Sequence, residues 1–323
     1  MSWADIGKRL RPLAQPVTYL GIAMLVAIYC ALAYLIADDR REAYREAERQ
    51  GSDLVRIFEK SYSHVFKSLD FSLLFLRKSY EWNTSTFRLS DWMHDPAIRN
   101  TLSFDFVMIG ADGRIVDSTI SKSIIGADRS QFEGFRVHAE SAADQLFIGK
   151  PHRMRLTGRW AIALTRRLTA ADGSFAGVIG TFLDPAELAR YLGAIDLRPG
   201  GQFALLGFDG TVRTRVLNGE IDWKSIGQQF PPRSMAVTYA RQTKSGHFWN
   251  IPGLVDHDRR LVSFQVLEAF PLIALVSISD AEVFRSANDH ARVYWIAALL
   301  LTAGVLVAIG MGAMHERRLI AAT

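Results

Sequence analysis

Two stretches without a charged side chain, Pro12 to Ala37 and Val293 to Met314, constrain this chain more than any other feature. About 20 consecutive apolar residues cover the hydrocarbon core of a bilayer, and both runs exceed that length, so both are expected to span. The first also has marks of a secretory signal: Lys8, Arg9 and Arg11 precede it, and Ala31-Leu32-Ala33 resembles a cleavage site. Its apolar stretch is much longer than the 7 to 15 residues usual for a signal peptide, which favours an uncleaved anchor. Basic residues at both outer flanks, with Arg317 and Arg318 beyond the second run, put both termini in the cytoplasm and the segment from Asp38 to Ala291 outside.

Within that outer segment the chain repeats itself. "FVMIGADGRIVDS" (Phe106 to Ser118) returns as "FALLGFDGTVRTR" (Phe203 to Arg215), sharing Phe, two apolar residues, Gly, Asp-Gly and a β-branched residue. Asp-Gly between apolar runs predicts a two-residue hairpin turn, so each phrase reads as a pair of antiparallel strands. A third Asp-Gly, Asp172-Gly173, joins "WAIALTRRLT" to "SFAGVIGTFLD", where Trp160, Ile162 and Leu164 alternate as in a half-buried strand. Two copies of one phrase point to two similar modules in tandem.

Directly after the first apolar run the chain is highly charged as far as about Gln50. Leu54, Phe58, Tyr62, Val65, Leu69, Leu73 and Leu76 then recur at spacings of four and three. With no proline before Pro96, this predicts one long helix, extending some 60 Å from the bilayer at about 1.5 Å per residue. Its stripe is read first as packing against the sheets, with a homodimer seam at the membrane-proximal end as the sharper option. "NTST" (Asn83 to Thr86) ends it, and "LSDWMHDPAIRN" reads as a short helix. The resulting division is 1–11 cytoplasmic, 12–37 first span, 38–82 stalk, 83–190 membrane-distal module, 191–291 membrane-proximal module, 292–314 second span and 315–323 cytoplasmic tail.

Composition narrows the chemistry. The sole cysteine, Cys30, lies in the first apolar run, so neither a disulfide nor a cysteine-type zinc site is expected outside. The formal charge of +5 comes with acids well interspersed and no basic block with interleaved aromatics, which argues against nucleic acid. Neither G-x-S-x-G, a phosphate-cradling G-x-x-x-x-G-K-[ST], H-E-x-x-H nor a dinucleotide-binding glycine pattern occurs, so neither enzyme nor cofactor is expected. Between Asp128 and Arg159, glycines, aromatics and basic residues mix without periodicity, as in loops that bind ligands.

Anchor, long helix, two hairpin-bearing modules and a second span together resemble the double Cache (dCache) periplasmic sensor domain, two PAS-like modules on a stalk helix. The run from Gly126 to Asp184, "GADRSQFEGFRVHAESAADQLFIGKPHRMRLTGRWAIALTRRLTAADGSFAGVIGTFLD", is especially similar to the first module of bacterial sensors upstream of GGDEF, EAL or histidine kinase outputs. The resemblance implies an α+β chain of two antiparallel-sheet modules flanked by two transmembrane helices in the bacterial inner membrane. It also implies a ligand site in the membrane-distal module.

In amino-acid-binding relatives a Tyr, Arg, Trp, Tyr and later Asp clamp the ligand. This sequence matches with Arg129 and Asp184 but has Ile124, Gln131 and Phe132 at the other positions. Arg129 would bind a carboxylate bidentately, with Arg153, Arg155, Arg166 and Arg167 adding positive charge. The candidate ligand-binding residues are Arg129, Asp184, Phe132, Trp160, Asp128 and Arg166.

Plainer roles stand beside these. Adjacent Arg166 and Arg167 must point to opposite faces of a strand, so one is expected to meet solvent or a structural acid. Asp128 can order its loop, and Trp160 and Phe175 can be core. His138 and His152 are read as surface or locally hydrogen-bonded rather than metal-binding. Because "GGDEF", "EAL" and kinase boxes are absent, the expectation is a sensor whose cyclase or kinase output is missing from this chain or supplied by a partner. The alternatives are an anchored binding or assembly protein, and an unrecognised hydrolase.

Overall fold

The computed structural model describes residues 16–84, 86–94, 105–154, 157–190, 200–230, 234–250 and 258–322. Its first element, α1, runs unbroken from Pro16 to Trp82. A short α2 (Leu89–His94) follows. The first module then comprises β1 (Phe106–Gly110), β2 (Ile115–Ser118), α3 (Glu133–Glu140), β3 (Phe147–Ile148), β4 (His152–Arg153), β5 (Trp160–Thr169) and β6 (Phe175–Leu183). After α4 (Pro185–Arg190), the second module has β7 (Gln202–Gly207), β8 (Val212–Leu217), β9 (Glu220–Ile221), α5 (Met235–Gln242), β10 (Ser245–Trp249), β11 (Arg260–Val266) and β12 (Leu272–Ser279). The short α6 (Asp280–Val283) leads into α7 (Arg285–Ala322).

Both modules are antiparallel sheets of one topology. The first has the order β2-β1-β6-β5-β3, with β4 also on β5, and the second β9-β8-β7-β12-β11-β10. The shared phrase folds the same way twice, and the third Asp-Gly copies it. The two-residue turn is corrected here to a three-residue loop. Gly113 donates to Gly110 O at 2.9 Å, Gly173 to Ala170 O at 2.9 Å and Gly210 to Gly207 O at 2.9 Å. Each glycine has φ near +80°, whereas each preceding aspartate accepts from the N–H two residues on. A turn ending in one left-handed residue produces a bulge, and all three hairpins shift register near their loop. Glycine is needed at one position of each loop; aspartate serves as a side-chain acceptor.

The α1 stripe is the shared core. Phe58, Tyr62, Leu69 and Leu73 are fully buried, together with Phe106, Ile162 and Leu164 from the first sheet and Phe203 and Leu205 from the second. Phe58 and Tyr62 meet the Phe203 ring at centroid distances of 5.0 and 5.8 Å. At Gly51 the helix approaches the second sheet so closely that a Cβ would collide with the Ser263 hydroxyl. Packing on the sheets, the first role read for this stripe, is present in the fold. β5 differs from expectation: it is buried on both faces, because α3 covers the side that alternation had left to solvent.

The chain forms two compact units. One comprises Gln50–Ser279; the other is made from the chain's two ends, up to Arg49 and from Asp280 onward. In the latter, Tyr29 and Thr302 hydroxyls lie 3.3 Å apart and Asp39 meets His290 at 3.1 Å. Segments of α1 and α7 are long and apolar enough to cross a membrane, by length and composition.

One polar contact fastens the stalk to the first sheet. Arg166 on β5 donates to both carboxylate oxygens of Asp70 on α1, at 2.6 and 2.8 Å, and to Asp144 at 2.7 Å; Asp144 also receives Arg77 at 2.6 Å. Burial acts against the Arg166 charge, but the bonds to Asp70 and Asp144 outweigh it and hold its pKa above the ordinary arginine value. Removing one partner of a buried pair costs about 3–5 kcal/mol, whereas replacing the pair by apolar groups of similar volume is often neutral. Asp70→Ala is therefore expected to lower unfolding stability by about 3 kcal/mol and Asp70→Leu with Arg166→Met by much less. Urea denaturation of the full chain in detergent measures both.

Candidate functional site

Every residue of β1 is apolar, which requires cover on both faces of the strand. Phe106 and Met108 point into the α1 core, while Val107 and Ile109 belong to a separate cluster with Ile115, Phe135 and Val178. On that second face lies a cavity of about 480 Å³. Val107, Ile109, Ile115, Ile120, Ile124 and Phe182 make its apolar lining; Asp128, Arg129, Gln131, Phe132, His152, Arg153, Met154 and Thr157 complete it.

The strap carrying Arg129 is fixed by backbone bonds to the β1–β2 hairpin. Ile115 N–H donates to Ala127 O at 3.0 Å, Gly126 N–H to Ile115 O at 2.7 Å and Arg129 N–H to Gly113 O at 2.7 Å. The Asp128 carboxylate accepts from Ser130 N–H at 2.8 Å, and bonds from Ser130 hold its pKa below the ordinary value. The half-buried Arg129 side chain donates to Asp128 O at 3.2 Å. Across the cavity, Arg153 donates to Gly158 O at 3.2 Å and lies 5.2 Å from the Trp160 ring centre. The geometry offers an apolar floor, two guanidinium groups and one carboxylate already engaged by its own loop.

Three of the six residues singled out in the sequence, Asp128, Arg129 and Phe132, line this one cavity, as do Ile124 and Gln131. The other three are placed elsewhere. Arg166 serves the Asp70–Asp144 network. Asp184 accepts from Ala186 N–H at 2.8 Å at the start of α4 and pairs with Arg159 at 2.9 Å. Trp160 packs against Gly227 of the second module. Each is displaced by a partner far away in sequence or by a helix end that uses its charge. Arg167 donates to the His138 and Ser141 carbonyls and stacks on Phe175. Arg155 lies outside the described residues.

His138 is buried rather than superficial, its Nε2 lying 3.0 Å from Thr165 O. His152 faces the cavity, between the Phe132 and Phe182 rings. The sequence reading of His152 as locally bonded agrees with its Nδ1 lying 3.4 Å from Lys150 O, but its place in the cavity and the aliphatic floor were missed. The signal was the unbroken apolar run of β1, since a strand covered on one face alternates.

No protein-family pattern matches the chain, and no curated protein matches it. Solved structures do. The extracellular domain of rpHK1S-Z16, a candidate histidine kinase, is 20% identical with a TM-score of 0.65, covering 75% of this chain and 98% of that one. The periplasmic sensory domain of the Campylobacter jejuni chemoreceptor Tlp1 is 18% identical with a TM-score of 0.55, over 75% and 98% of the two chains. The ligand-binding domain of the Pseudomonas aeruginosa PAO1 amino-acid chemoreceptor PctB, in complex with L-Arg, is 12% identical with a TM-score of 0.56, over 72% and 94%. The fold is therefore that of Cache-type ligand-binding sensor domains from extracytoplasmic receptors.

Burial lowers the pKa of His138 below the ordinary 6.5, with nearby Arg166 and Arg167 adding to the shift against the bond to Thr165. At pH below about 6.5 the unfolded chain binds more protons there than the folded one, so folding stability rises with pH. The contribution is complete above about 6.5 and is lost as pH falls toward the depressed folded value. The melting temperature is expected to drop between pH 7.5 and pH 5.5, and His138→Gln to flatten that dependence; thermal unfolding of both proteins across this range checks it.

Proposed function

We propose that this chain is a transmembrane signal-transduction sensor whose first module binds a small anionic, carboxylate-bearing molecule outside the membrane. The observation that carries this reading is Arg129, held by its backbone at the edge of an apolar-floored cavity of about 480 Å³ with Arg153 as a second cation. Small-molecule sites have this make-up, roughly 300–1,000 Å³ of mostly apolar wall with a few oriented polar groups. Arg129 is assigned the carboxylate, Phe132 and His152 the ring contacts and Asp128 the ordering of the strap. Asp184 and Asp128 both have other partners, leaving an ammonium group without a dedicated acid. This favours a carboxylate that carries no ammonium group over an amino acid such as the L-Arg bound by the P. aeruginosa domain.

The apolar segments of α1 and α7 are proposed to cross the bacterial inner membrane with both termini in the cytoplasm. α1 continues from its apolar segment into the core beneath both sheets, so a ligand-dependent shift of the outer helix would move its inner end. Exposed Ile57, Phe71 and Trp82 on the stalk support a homodimer. A cyclase or kinase output, on the same polypeptide or a partner, would receive the signal. An anchored binding protein without signalling is the second reading.

Loss of a desolvated charged contact costs about 2–5 kcal/mol, against about 0–1 for a surface pair. For a ligand found by thermal-shift screening of carboxylic acids, Arg129→Ala in the full chain should weaken binding by about 30-fold or more. Arg136→Ala, an exposed residue on α3, should leave it unchanged. Equal affinity of the Arg129 variant and the parent in calorimetry would remove the site. For topology, a reporter inserted at the Asn218-Gly219 turn should behave as exported and one fused after Ala322 as cytoplasmic. An exported C-terminal reporter would contradict the two-span arrangement.

A further inference from the structure

The second module contains its own, smaller cavity, and its chemistry is not a copy of the first. It measures about 80 Å³ and lies between the sheet and the start of α5. Phe230, Met235, Phe248 and Leu275 supply apolar walls, and Arg215 and Ser234 also line it.

Register shows how the duplicated modules diverged. Arg129 N–H bonds Gly113 O in the first strap and Phe230 N–H bonds Gly210 O in the second, so an aromatic ring replaces the strap cation. On the sheet, Ser118 pairs with Val107 in the first module, and Arg215 pairs with Ala204 at the matching place in the second. The positive charge has moved from the strap to the sheet. Arg215 is buried and held in place, donating to Gln202 Oε1 at 2.7 Å and Ser225 Oγ at 3.3 Å, with Asp222 3.7 Å away.

The start of α5 carries further donors for an anion. Ser234 is the residue before α5, where a serine side chain usually accepts from the first N–H groups, yet it makes no such bond. Its hydroxyl is buried and has no partner among the described residues. The first turn of α5 carries no acidic side chain, whereas the corresponding α3 starts with Glu133. Uncapped N–H groups at a helix start, with their partial positive charge, favour a bound anion.

We infer that this cavity is a second ligand site, specific for a two- or three-carbon carboxylate held between Arg215 and the Ser234 end of α5, with its short chain against Phe230 and Phe248. At about 80 Å³ against about 480 Å³ for the first module's cavity, it is much the smaller, which favours a short acid. The site is independent of the ligand proposed for the first module. The second module thereby senses a small organic acid of its own.

The test uses the full chain in nanodiscs titrated with sodium acetate and sodium propionate against sodium chloride at equal ionic strength. Melting temperature and broadening of the ¹³C-acetate resonance are the readouts. One of the two acids is expected to stabilise the protein saturably. Ser234→Ala removes a hydroxyl that bonds to no described residue, so it should melt like the parent without ligand and bind about tenfold more weakly. Arg215→Gln should abolish the response, and Arg129→Ala should leave it intact. No response to either acid, an undiminished response in Ser234→Ala, or a response lost in Arg129→Ala would each overturn the assignment, the last by placing the acid in the first module's cavity.

Discussion

Everything outside the apolar segments depends on one face of α1 serving as the wall for two sheets. A helix that buries Phe58 and Tyr62 against one sheet and Leu69 and Leu73 further along must stay straight and close to both. Gly51 allows the near approach at one sheet, and the Arg166–Asp70 pair fastens the other. Since α1 occupies only one side of each sheet, the other side is left for a strap, a short helix and a cavity between them. The face that holds the cavity follows from where the helix is not.

The duplication has a physical reading as well. A three-residue loop ending in one left-handed glycine recurs at Gly113 and Gly210, and each loop receives a strap residue by the same backbone bond. The scaffold that orients the strap is therefore independent of the side chain it carries. One copy can present a guanidinium and the other a phenyl ring without disturbing the turn beneath. Tandem modules of this kind can acquire different chemistries on one backbone plan.

Arginine content is a poor guide to a binding site here, because the fold consumes most of the arginines near it. Arg166 neutralises two acids, Arg167 satisfies the carbonyls ending α3, Arg159 engages Asp184, and Arg213 pairs with Asp209 at 3.2 Å. Burial opposes the Asp209 charge, but the Thr211 N–H and Arg213 still hold its pKa below the ordinary value. What distinguishes Arg129 is position: its backbone is tied to a hairpin while its side chain borders an apolar space.

The long helix, the hairpins, the repeat and the order of the modules could be read from the sequence because each is written in local pattern: period, turn residues and charge-free length. Arg129, Asp128 and Phe132 were reached through the resemblance to the family's ligand-binding motif, and they share one strap of five residues that the fold keeps together. Asp184, Trp160 and Arg166 are placed elsewhere, and the aliphatic floor was not legible. The partner of Arg166 is Asp70, 96 residues away, and the cover over Val107 and Ile109 comes from a strap and a later strand. Sequence alone determined the long helix, the hairpins and the fact that the hairpin phrase recurs. Tertiary structure decided which charges are spent on holding those elements together and which border a cavity, because that depends on contacts between segments with no local signal of each other.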